Sequence, residues 1–123
     1  MGYYNDVAIC LKKVNFDELQ TRITEAVNNG KVDYDLLKQA NIIISQEGQY
    51  VVIKWGWIKW NESWSEIAII ENYLNELDEN FIPFSFIRVG EADGDIETRF
   101  NGGKDGSYEC NRISVNTTIE IDD

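Results

Sequence analysis

The apolar residues of this chain change period repeatedly, recurring at every second position in some stretches and at every third or fourth in others. This constrains the fold more than any single motif, because a period of two marks one face of a strand and a period near 3.6 marks one stripe of a helix. Residues 4–11 read as a first strand, with Lys12 and Lys13 at its exit. Phe16, Leu19, Ile23, Ala26 and Val27 then follow at helical spacing behind Asn15 and Glu18, a variant of the capping box, and Gly30 stops the helix. Asp33 can cap a short second helix over residues 34–40. Residues 42–45 and 50–55 flank Gln46-Glu47-Gly48-Gln49 as two strands of a hairpin. Ser63 and Glu66 form a capping box for a helix with the stripe Ile67, Ile70, Leu74 and Leu77.

Pro83 belongs at the start or edge of the next strand, which continues to Val89. Asp93-Gly94 turns the chain, and Ile96, Thr98 and Phe100 alternate on the return strand. Residues 113–121 alternate apolar and polar side chains as one strand with a wet face. The predicted order is β-α-(α)-β-β-α-β-β-β over a single domain, residues 1–123. Such an order favours an α+β fold, a mainly antiparallel sheet with two long helices on one face, of ferredoxin-like type.

Charge narrows the function. Residues 1–60 hold seven basic and seven acidic side chains, residues 61–123 hold four and fifteen, and the net charge of -11 therefore belongs to the second half. A basic nucleic-acid-binding surface is excluded, and so is direct binding to nucleic acid. The chain contains no histidine, which removes His-based triads, His-ligated metals and His switches. Cys10 and Cys110 lie far apart, and the opening residues carry neither the basic nor the apolar region of a secretion signal. The expectation is a cytoplasmic protein with reduced thiols and no membrane segment, since no apolar run nears the ~20 residues a spanning helix needs.

Two features stand out against this background. The string Glu91-Ala92-Asp93-Gly94-Asp95-Ile96-Glu97 places carboxylates around a glycine, but it lacks the twelve-residue order of a calcium loop and reads as a hairpin turn. No metal and no cofactor are expected. Trp55, Trp57, Trp60 and Trp64 crowd between a strand and a helix start. Trp55 and Trp57, two residues apart, are expected to share the buried face of their strand, leaving Trp60 or Trp64 exposed as a binding hot spot.

The opening Met-Gly-Tyr-Tyr-Asn-Asp-Val-Ala, the Ile58-Lys59-Trp60 before an acidic helix, and Phe86-Ile87-Arg88-Val89-Gly90-Glu91 followed by Asp95 and Glu97 resemble a group of small acidic proteins encoded by phages and prophages. The resemblance implies an accessory protein of a mobile element that counters host defence, as anti-CRISPR and anti-restriction proteins do, by presenting DNA-like charge. The expected function is a non-catalytic inhibitor that binds the basic nucleic-acid-binding site of a host defence protein or ribonucleoprotein complex. The expected contacts are Glu62, Glu66, Glu71, Glu76, Glu79, Glu91, Asp93, Asp95, Glu97, Trp60 and Trp64. An immunity protein or antitoxin capping a toxic nuclease needs the same surface and is the alternative. A small carboxylate or metal-assisted enzyme is the third reading.

Overall fold

The structure, a computed structural model, describes residues 4–103, 113–115 and 119–121. In chain order the elements are β1 (Asn5–Lys12), α1 (Lys13–Asn28), β2 (Asn41–Ile44), β3 (Tyr50–Ile58), α2 (Ser65–Glu79), β4 (Phe84–Gly90), β5 (Ile96–Asn101), β6 (Ile113–Val115) and β7 (Ile119–Ile121). Five strands form one antiparallel sheet in the order β2-β3-β1-β4-β5. β1 sits at its centre because it is apolar on both faces. Val7, Ile9 and Leu11 point one way, Ala8 and Cys10 the other, and all five are fully buried. A strand covered on both sides requires such an unbroken apolar run.

Val7, Ile9, Leu11, Val51, Ile53, Trp55, Phe84 and Phe86 pack under Phe16, Leu19 and Ile23 of α1 and under Ile67, Ile70, Leu74 and Leu77 of α2. Each such side chain contributes about 1.5–3 kcal/mol when fully buried, so this face is the main source of stability. Ala8, Cys10, Val52 and Ile87 form a smaller cluster on the opposite face. The backbone of β6 approaches β1 and β4, and that of β7 approaches β1. Both edges of β1 are already paired, with β3 and β4. The β6–β7 pair therefore lies across a face of the sheet, the one the helices leave open.

Several local expectations are corrected. Residues 113–121 are two strands, with Ile113 opposite Ile121 and Val115 opposite Ile119. The alternation did not reveal the reversal because the apolar positions on both strands are odd-numbered, so the same period of two fits both strands. The short second helix is a 3-10 turn at Leu36–Gln39, and Asp35, not Asp33, accepts its cap from the Leu37 N–H at 2.9 Å. α1 begins at Lys13 with no side-chain cap. Asn15 is instead buried, its amide donating to the Tyr73 hydroxyl at 3.4 Å. At α2 the N-cap is Trp64, and Ser63 bonds back to Asn61 Oδ1 through its N–H at 2.9 Å and its hydroxyl at 2.6 Å. At both long helices the expected cap residue is taken by another bond. The turns at Gly48 and Gly94 do take positive φ, 75° and 79°.

Candidate partner-binding site

β1 and β3 pair regularly until Asn5, where the register slips. Val7 faces Trp55 and Asn5 faces Ile58, so Asp6 stands opposite both Gly56 and Trp57. Two residues opposing one is a β-bulge, which bends the strand and re-aims a side chain. Trp57 takes φ 53°, a left-handed conformation that costs a non-glycine residue about 1–2 kcal/mol. Its backbone N–H donates to Asp6 Oδ1 at 3.1 Å, which holds the bulge in place. The result overturns the expected sharing of a face. Trp55 is buried and donates its indole N–H to the Leu36 carbonyl at 3.0 Å, whereas Trp57 is 74% exposed. Phe81 also has positive φ, but it follows the end of α2, where a left-handed residue is the ordinary helix stop. No helix end explains Trp57.

Around this indole, the Tyr4 ring lies 5.1 Å away between centroids, and Lys59 Nζ is 5.3 Å from the centre of the Tyr4 ring. The Tyr4 backbone N–H donates to Glu91 Oε1 at 2.6 Å, tying the acidic turn after β4 to the start of β1. Between them is a shallow cleft of about 200 Å³ lined by Tyr4, Asp6, Trp57, Val89 and Glu91.

The remaining carboxylates of the 91–97 turn are occupied differently. Arg88 donates to Asp95 Oδ1 at 3.1 Å, to Glu97 Oε1 at 3.2 Å and to the Asn5 side-chain oxygen at 2.8 Å. The guanidinium pKa is raised, chiefly by its bond to Asp95. Two residues beyond Glu97 on β5, Arg99 pairs with Glu97 at 3.7 Å, bonds Glu71 and lies 4.4 Å over the Phe86 ring. Glu71 also accepts the Trp60 indole N–H at 2.8 Å. The network therefore runs from α2 across β5 and β4 to β1.

A second network joins the helices. The Tyr73 hydroxyl donates to Glu18 Oε1 at 2.7 Å, and Arg22 donates to Glu76 at 2.5 Å. Burial pushes the Tyr73 phenol above its ordinary value of 10.0, with its bond to Glu18 acting in the same direction. The unfolded phenol thus ionises first, so its stabilising contribution is complete below that value and is lost as pH rises beyond it. Urea midpoints at pH 8 and pH 11 are expected to fall further for the native chain than for Tyr73→Phe. Equal falls would show that Tyr73 is not the group responsible.

The eleven residues expected at the interface divide into groups. Glu71, Trp60, Asp95 and Glu97 belong to the arginine network and are buried or half-buried. Glu66 is also buried, against the Tyr34 hydroxyl. These five are not a free acidic row, and Trp60 is not the exposed indole. Trp64 is 41% exposed, and Glu62, Glu76, Glu79, Glu91 and Asp93 are exposed. The backbone separates even these. β3 ends at Ile58, level with Asn5 and Gly90, so Glu62 and Trp64 at the start of α2 share an end of the molecule with Glu91 and Asp93. Glu76 and Glu79 lie at the far end of a 15-residue helix, roughly 20 Å away at 1.5 Å per residue.

Tyr4, Asp6 and Trp57 were not among the expected contacts. One signal for them was present, Gly56 inside a strand run, which is a common mark of a bulge. Among the described residues no three His, Cys, Asp or Glu side chains are grouped to hold a metal ion, and no helix is long and apolar enough to cross a membrane. Cys10 is buried and Cys110 lies outside the described residues. No family model, curated protein or solved structure matches this chain.

Proposed function

We propose that this chain is a non-catalytic, phage-encoded inhibitor that binds the basic nucleic-acid-binding site of a host defence complex, using the end of the sheet where Trp57 stands out. The observation that carries this reading is Trp57 itself, a large apolar side chain turned to solvent by a bulge that costs backbone energy. Strain held in place by a specific bond, here Asp6 to the Trp57 N–H, is characteristic of functional positions. Indoles supply much of the energy at protein interfaces. The charge of -11, with Glu62, Glu91 and Asp93 exposed at the same end, selects a basic partner and speeds encounter with it.

The strand order β2-β3-β1-β4, with α1 and α2 in the two crossovers, supports a ferredoxin-like reading of the core, to which β5 adds an edge. That core makes a rigid platform for one exposed end. The test is displacement: purified RNA-guided and restriction complexes are mixed with fluorescent target DNA, the protein is added, and anisotropy is followed at low and high salt. DNA release that weakens as salt rises is the expected result. Unchanged DNA binding by every complex, with tight binding to a small toxic nuclease instead, would replace the proposal by the immunity-protein reading.

A further inference from the structure

The cleft beside Trp57 combines two aromatic rings with two carboxylates, and its chemistry specifies more than a basic partner in general. Asp6 and Glu91 each use one oxygen on a backbone N–H, from Trp57 at 3.1 Å and from Tyr4 at 2.6 Å. These bonds fix both carboxylates at the cleft wall, and each keeps its second oxygen as an acceptor. The Tyr4 ring already has a cation beside it, Lys59, at 5.3 Å. Among the described residues no cation lies over Trp57, although indole is the strongest of the aromatic cation partners.

We propose that this cleft receives one arginine side chain of the protein partner, its guanidinium lying on the Trp57 indole and donating to Asp6 and Glu91. The inference rests on reading the chain as an acidic binding protein and adds the chemical group it recognises. Arginine fits because its planar fork stacks on an aromatic face while its N–H groups reach two acceptors at once. A lysine ammonium offers one compact charge and no plane to stack. A quaternary ammonium has no N–H for the carboxylates, and a phosphate is repelled by them.

The probe is an acetylated, amidated Gly-Arg-Gly peptide, compared with the same peptide carrying citrulline, the uncharged isostere, or lysine. Binding is read from the indole N–H resonances of the full chain, with Trp57 assigned through Trp57→Gly. The arginine peptide is expected to shift the Trp57 signal saturably, about tenfold more tightly than the citrulline peptide, since the charge supplies both the ring contact and the stronger hydrogen bonds. Binding should also weaken in Glu91→Gln, and in Trp57→Gly the remaining indole signals should stay unmoved by the arginine peptide. Equal affinity for arginine and citrulline peptides, or shifts confined to Trp64, would overturn the proposal. If the arginine peptide does not bind and the protein still displaces DNA from a defence complex, the arginine assignment falls and the inhibitor reading stands. If the peptide binds but no complex releases DNA, the cleft assignment stands and the inhibitor reading falls.

Discussion

Glu71→Lys is expected to destabilise the protein by about 3–5 kcal/mol, because it takes from Arg99 its closest carboxylate and sets a second cation beside it. Glu71 is 7% exposed and bonds both Arg99 and the Trp60 indole, so its carboxylate has exchanged water for two donors. Reversing the charge therefore leaves the half-buried Trp60 indole N–H without its acceptor, and the Arg99 guanidinium with only Glu97 at 3.7 Å and Asn75 at 3.4 Å. In a domain whose total stability is on the order of 5–15 kcal/mol, the variant should melt roughly 10–20 °C lower. Glu79→Lys, on the exposed end of the same helix, should stay within about 0.5 kcal/mol of the native chain. Thermal melts of the two variants check the contrast, and equal melting temperatures would show that the Glu71 network holds nothing together.

The second large effect is expected at Trp55. Truncation to alanine empties a site between the sheet and both helices and leaves the Leu36 carbonyl without its donor, a loss of about 3–5 kcal/mol. Trp57→Ala, two residues away, removes a side chain that is 74% exposed and should cost little. Urea midpoints of the two alanine variants separate these outcomes. If they are destabilised alike, the bulge does not turn Trp57 out of the core.

The pairing of helices with one sheet face was legible in the sequence because those residues keep their period without interruption. The stripe Ile67, Ile70, Leu74 and Leu77 is buried as expected, and β1 is apolar throughout. The site was less legible, and for a definite reason. A period of two predicts a face only while the register holds, and one extra residue at Gly56-Trp57 changes which way every later side chain points. Trp57 therefore looked like core and proved to be surface. Ile58, its successor, packs against the core in its place. The acids misled in the opposite direction. Glu71 lies four residues after Ile67 and three before Leu74, which puts it beside the buried stripe, yet its charge alone suggested solvent. Asp95 and Glu97 looked equally free until the strand register brought Arg88 opposite Glu97. Composition counts charges but does not show which of them the fold has already paired.

The most direct test of the account is to compare the native chain with Trp57→Gly in the DNA-displacement assay and in a thermal melt. Glycine takes φ 53° without strain, so the variant removes the indole while keeping the backbone of the bulge. An unchanged or slightly higher melting temperature is expected, together with at least a roughly tenfold loss of inhibitory potency, the scale of a lost interface hot spot. A Trp57→Gly protein that melts like the native chain and displaces DNA equally well would contradict the account.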